Sequence, residues 1–238
     1  MNRKSIAKTC FLIAGLISGP MTATSATAEP LIYGIQIEQA EYRVGSPTDV
    51  FAWDFDALIG TDDLKFVWRS EAEYAFTEDK FETLENQLRL QKPISDFFDA
   101  VAGVRVDTPS GKDRIQGVVG LHGLAKQFIE VDADLFVGDH PSIRLEAEYE
   151  ALITNRLIVT PSIEFDMPLN DDAEFDRGAF APTLEVGVRA GYDLIDRALS
   201  PYIGVHYERS FGKTANIRRS EGEDAGSLFF VAGARMLF

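Results

Sequence analysis

SIRLEAEYEALITNRLIVTPSIEFD, residues 142 to 166, is the stretch that decides how this chain folds. Over its first half the side chains alternate strictly. Ile143, Leu145, Ala147 and Tyr149 fall on one side of an extended strand, and Arg144, Glu146, Glu148 and Glu150 on the other, because successive strand residues point to opposite faces. Asn155-Arg156 makes a tight connection, after which Ile163, Phe165 and Met167 share one face and Ser162, Glu164 and Asp166 the other. The pattern predicts an antiparallel hairpin with one apolar surface and one surface thick with carboxylates. A soluble β-protein would turn the apolar side in, and a membrane barrel would turn it out. The rest of the chain separates the two.

Twelve segments carry the same alternation, each close to the roughly 9–11 residues that a tilted membrane strand requires. They are Tyr33 to Arg43 (the least regular), Phe51 to Ile59, Leu64 to Phe76, Phe81 to Gln91, Phe98 to Asp107, Ile115 to Leu124, Phe128 to Val137, the two arms of the hairpin, Thr183 to Tyr192, Tyr202 to Phe211 and Leu228 to Phe238. No segment shows a helical period with caps at both ends. The links after even-numbered strands are short (Thr61 to Asp63, Asn155-Arg156, Asp196 to Ser200). The two longest links, Pro168 to Ala181 and Gly212 to Ser227, both follow odd-numbered strands. Long loops on one rim and short turns on the other match bacterial outer-membrane barrels. Three features count against a soluble barrel. The apolar face is rich in alanine, too small to fill the interior of twelve strands. Aromatics gather near strand ends (Phe51, Trp53, Tyr74, Phe76, Tyr192, Tyr207, Phe211), as membrane-interface girdles do. The chain also stops at Phe238 after apolar residues at alternate positions, an ending suited to the barrel assembly machinery. The expectation is all-β: a twelve-stranded up-and-down antiparallel transmembrane β-barrel over residues 29–238, facing outer-membrane lipid.

Residues 1–28 read as a signal peptide. Arg3, Lys4 and Lys8 precede an apolar run, Cys10 to Ile17, too short to span a bilayer, and Ala26-Thr27-Ala28 supplies a small-x-small cleavage site. Cys10 is the single cysteine, so thiolate metal sites and disulfides are excluded from the remainder. Formal charge is −15, and more negative still once those three bases leave. An acidic surface of this kind excludes nucleic acid and favours cationic partners.

GLHGLAKQFIEVDADLFVGDHPSIRLEAEYEALITNRLIVTPSIEFD, from Gly120 to Asp166, resembles the outer-membrane copper resistance protein B family. The resemblance extends upstream through WRSEAEY (Trp68 to Tyr74) and AGVRVD (Ala102 to Asp107). Downstream it runs through LEVGVRAGYDL and SPYIGVHYERSFGKTA to the terminal FVAGARMLF, and so covers nearly everything from Tyr33 onward. It implies an outer-membrane barrel that takes part in copper tolerance, with copper ions as partner and a periplasmic copper-handling protein as a further one. Members of that family often carry an N-terminal stretch rich in Met, His and acids. Glu29 to Gly45 contains neither Met nor His, and Met167 and Met236 are predicted to face lipid. The thioether ligands that favour Cu(I) are therefore missing from the lumen.

No G-x-S-x-G, H-E-x-x-H or phosphate-cradling glycine loop is present, and no enzyme is expected. Predicted inward acids outnumber the inward bases Lys65, Arg69, Arg89, Arg105, Arg144, Arg189 and Arg235. Such a lumen is either a salt-bridged plug or a cation-attracting interior. Imidazole with carboxylate suits divalent copper. His206-x-Glu208 places two candidate ligands on one strand face. His122 is the other candidate, with Glu148 and Glu150 as carboxylate partners two strands away. The expected function is binding or passing copper ions through an acidic lumen. The alternative is a structural or general-permeability barrel without metal chemistry.

Overall fold

A computed structural model describes residues 30–45, 48–108, 113–195 and 197–238. Twelve strands follow one another as β1 (Ile32–Gly45), β2 (Val50–Gly60), β3 (Lys65–Ala75), β4 (Lys80–Pro93), β5 (Phe98–Asp107) and β6 (Arg114–Leu124). They continue as β7 (Ile129–Val137), β8 (Ser142–Tyr149, resumed at Ala151–Leu152), β9 (Leu157–Pro168), β10 (Thr183–Tyr192), β11 (Leu199–Ser210) and β12 (Gly226–Leu237). All neighbours pair antiparallel, in sequence order. The sheet closes on itself where β1 meets β12, with Gln36 opposite Leu237 and Val44 opposite Phe230. Closure leaves no edge strand to pair with another chain. The expected signal peptide, Ser46-Pro47 and Asp196 lie outside the described residues.

The strand faces are those that the alternation predicts. Leu88, Ile115, Ile203 and Phe230 stand exposed on the outer wall, while Glu85, Gln87 and Arg89 between them are 1 % exposed. An exterior of apolar side chains around a charged interior inverts a soluble protein and suits a barrel in lipid. At one rim Tyr42, Phe51, Trp53, Tyr74, Phe76 and Phe81 form a chain of ring contacts, with centroids 5.2 to 6.2 Å apart. That rim also carries the long links 169–182 and 211–225, and the opposite rim carries the short turns. Among the described residues no helix is long and apolar enough to cross a membrane.

Two local features depart from the expected pattern. In β1 the register slips between Ile37 and Glu41 against β12, and between Ile37 and Gln39 against β2. This bulge puts Glu38 and Gln39 on the same side, so the inward positions change from even to odd, and Glu41 and Arg43 enter the lumen. The second departure is a helix, α1 (Gly212–Glu221), inside the long link before β12. It ends at Gly222, whose φ of 90° is the left-handed conformation that caps a helix C-terminus.

Candidate functional site: the charged lumen

Arginines from the wall bind carboxylates on neighbouring strands and across the barrel on distant ones. Arg144 on β8 donates to Glu71 on β3 and to Glu85 on β4, both at 3.0 Å. Arg89 on β4 donates to Asp134 on β7 at 2.8 Å, and Arg105 on β5 meets Glu85 at 2.8 Å. Arg69 on β3 holds Asp56 at 3.1 Å and lies 3.7 Å from Asp132 on β7. The guanidinium carbons of Arg105 and Arg144 stand 4.4 and 5.4 Å from the ring centre of Phe136, which is fully buried between them. Cations over an aromatic face are attracted by its quadrupole. Gly120 leaves room for this layer, because a Cβ there would lie 1.9 Å from Asp134 Oδ1. Removing one member of such a buried pair costs about 3–5 kcal/mol, so the charges of the waist hold one another in place.

The short-turn mouth is more open. A cavity of about 240 Å³ there is lined by Gln36, Glu130, Glu150, Arg189, Tyr202 and Arg235, among others. His122, Glu130 and Asp132 stand together on this half of the lumen wall, each with a ligand atom within 4.8 Å of the others'. His122 Nδ1 lies 3.1 Å from Asp132 Oδ2. Glu148 and Glu150, the partners expected for His122, instead accept from Arg235 at 2.6 and 2.9 Å. Hairpin register held the missing signal: across the short turn 125–128, His122 pairs directly with Asp132 and Leu124 with Glu130.

His206 lies toward the long-loop rim, so the structure does not bring the two candidate histidines into one site. Its Nε2 meets Glu185 Oε2 at 3.3 Å, rather than Glu208 as the strand spacing suggested. His206 is 5 % exposed, and its Nδ1 is buried without a hydrogen-bond partner. Glu208 pairs with Arg218 of α1 at 2.7 Å. Sequence reasoning missed Arg218, and nothing in the local pattern of α1 marks it. Across this mouth α1 is tied to the 169–182 loop. Thr214 Oγ1 donates to the Ala181 carbonyl at 2.9 Å, and Lys213 bonds Asp171 at 2.6 Å. The Ala179 amide, and secondarily Lys213, hold the Asp171 carboxyl below its usual range. His140, the third histidine, sits in the 138–141 turn with Nδ1 3.8 Å from Asp172.

An imidazole with two carboxylates is a donor set that divalent copper accepts. His122, Glu130 and Asp132 supply donors of that kind, and Asp132 is also shared with Arg69 and Arg89.

Comparison with known proteins bears on both fold and family. In overall shape the chain is similar to the NanC porin, with a TM-score of 0.55 and 12 % identity over 86 % of this chain and 99 % of that one. It is likewise similar to the KdgM porin, with a TM-score of 0.53 and 10 % identity over 85 % and 98 %. At such identities the likeness concerns the fold alone. Copper resistance protein B of Escherichia coli is 36 % identical over 208 residues, covering 87 % of this chain and 69 % of that protein. The homologue of Pseudomonas syringae pv. tomato is 34 % identical over 203 residues, covering 84 % and 68 %. The family model described as copper resistance protein B precursor matches residues 31–238. A closed barrel with an apolar outer wall, porin-like in shape and matched to that family along its described length, is a Gram-negative outer-membrane protein with a role in copper resistance: the chain belongs to the copper resistance protein B family.

Proposed function

We propose that the barrel serves copper resistance by binding Cu(II) in its acidic lumen and passing it between the two mouths, without catalysing a reaction. The observation that carries this reading is the convergence of His122, Glu130 and Asp132 beside the short-turn mouth. Glu148 and Glu150 add negative charge at that mouth, offset by Arg235, and His206 with Glu185 supplies a second imidazole–carboxylate pair on the far half. In this reading residues 1–28 direct export and are removed, the assembly machinery inserts the barrel, and the short-turn mouth faces the periplasm and a copper-handling protein there. A second reading, a structural barrel closed by its charges, is favoured by the arginines that bridge the waist. Calorimetry with Cu(II) on the refolded barrel separates the two. The His122→Ala/His206→Ala double variant is expected to lose well over about tenfold in affinity while folding as before. Binding is also expected to weaken as pH falls below about 6.5, the ordinary imidazole value, because a ligating nitrogen must give up its proton. Unchanged affinity in the double variant returns the barrel to the structural reading.

A further inference from the structure

Strand register lines up one titratable group per strand along half the barrel wall. His122 on β6 is directly opposite Asp132 on β7, and Asp132 is opposite Glu146 on β8. Glu146 is opposite Glu164 on β9, Glu164 opposite Glu185 on β10, and Glu185 opposite Glu208 on β11. Directly opposed residues have Cβ atoms about 4.5–5.5 Å apart, so neighbouring carboxylates lie within reach of one ion. Barrel strands tilt by about 35–45°, which makes a row perpendicular to them climb the wall. His122 is near the end of β6 at the short-turn rim, and Glu208 is near the end of β11 at the long-loop rim. The row therefore runs from one mouth to the other.

Like charges directly opposite one another destabilise a sheet. Four adjacent strands nevertheless carry glutamate in register, and each acid is held by a cation from elsewhere. Arg69 lies 3.7 Å from Asp132 and 3.9 Å from Glu146, and Arg144 lies 3.3 Å from Glu164. His206 serves Glu185, and Arg218 serves Glu208. His206 adds an imidazole to the acids: buried in the wall beside the row, it meets Glu185 through Nε2 and keeps a buried Nδ1 with no hydrogen-bond partner. An imidazole that faces a carboxylate through one nitrogen is a side chain that a borderline metal ion accepts. Arg218 differs from the other counter-cations because it comes from α1 in the mouth link, and it is the most exposed of the three arginines. The barrel has a second in-register acid row, Asp54, Glu71, Glu85 and Asp107 on β2 to β5, but that row holds no imidazole.

We propose that the row from His122 to Glu208 is the track along which a divalent cation crosses the barrel, and that Arg218 is its gate, a tethered cation that the ion replaces at Glu208. This rests on the reading that the lumen carries Cu(II), and it adds the route and its control. An ion at the long-loop mouth meets Glu208, takes the place of the guanidinium, and passes by exchange between neighbouring acids to His122. Transit requires sites close enough for the ion to be shared and weak enough to release it.

The test uses the full barrel in phosphatidylcholine–phosphatidylglycerol vesicles loaded with a copper-quenched fluorophore, with Cu(II) chloride added outside. Arg218→Ala is expected to raise the rate of Cu(II) influx several-fold. Glu164→Gln/Glu185→Gln is expected to lower it by about tenfold or more, the scale on which a charged cleft alters ion capture. Asp54→Asn/Asp107→Asn, which removes the same charge from the other row and leaves the partners of Arg144 in place, is expected to stay near wild type. Equal losses from both double variants would show that net charge alone acts, and would overturn the track. An influx indifferent to Arg218→Ala would overturn the gate. Heat-modifiable gel mobility reports folding. If Glu164→Gln/Glu185→Gln does not fold, Glu185→Gln alone takes its place, with the same loss expected and wild-type influx overturning the track. Cu(II) electron paramagnetic resonance on the same samples separates the two readings. Binding retained at His122 with influx unresponsive to every variant overturns the track alone, whereas no His122-dependent signal in wild type removes the lumen-binding reading itself.

Discussion

Glu41 is a carboxylate with no solvent exposure, and it accepts from three arginine or tyrosine side chains at once. Arg189 bonds both of its oxygens at 2.8 Å, Tyr202 adds a hydroxyl at 2.9 Å, and Arg43 donates at 2.7 Å. Glu41→Ala would leave the buried Arg189 without a carboxylate and Arg43 with Glu73 alone, and the expected loss is about 3–5 kcal/mol of folding stability in lipid, read from reversible urea unfolding. Glu150→Gln, at the open mouth, should cost no more than about 1 kcal/mol. Equal costs would mean that the buried charge network does not hold the barrel together. The inward position of each charged residue was legible from alternation wherever a strand is regular, as Arg144, Arg189 and Arg235 show. Pairing was not. Arg189 and Glu41 are 148 positions apart, and which acid an arginine meets across a lumen depends on closure of the whole ring. The candidate site divides the same way: that His122 and His206 face the lumen follows from alternation, whereas the acids beside them, Asp132 with Glu130 and Glu185, follow from adjacent-strand register.

Single elements show where the period-two signal holds and where it fails. In β8, Ala147 faces out between Val131 of β7 and Ile163 of β9, while Glu148 faces in to Arg235. Arginine in place of Ala147 would put a charge into hydrocarbon, at a cost of about 2–4 kcal/mol near the midplane. Ala147→Arg is therefore expected to impair assembly on heat-modifiable gels, and Glu148→Gln to leave the folded form intact. The reverse ranking would mean that β8 is displaced by one residue, since such a slip exchanges the two faces. β1 defeats the same reading because its bulge changes parity midway: a strand with Glu38, Gln39 and Glu41 all inward has no clean alternation to find. α1 escaped for a different reason. It is short and polar almost all round, its N-terminal cap residue is Phe211 with no side-chain bond, and Gly222 alone marks an end. What holds it is tertiary contact, through Thr214 and Arg218, which no local pattern encodes.

For the whole molecule, alternation was enough to give twelve strands, and the order of long and short links to give one rim of loops and one of turns, because an up-and-down barrel places every odd-to-even link on the same side. The same rule sets orientation. Extracellular loops of outer-membrane barrels are the long ones and periplasmic turns the short ones, so links 169–182 and 211–225 are expected outside the cell. The structure adds that these two links are not independent arms. Lys213 and Thr214 of the second are bonded to Asp171, Gly178 and Ala181 of the first, so they form one lid over the mouth. A tag must therefore avoid those contacts to report orientation alone, and the exposed positions Ala173–Glu174 and Glu223–Asp224 satisfy this. Epitopes inserted there are expected to be labelled by antibody on intact cells. Labelling only after the outer membrane is permeabilised would reverse the barrel and turn the Arg218 mouth toward the periplasm. Labelling of one insertion and not the other would break the single-lid geometry, since both links leave the same rim.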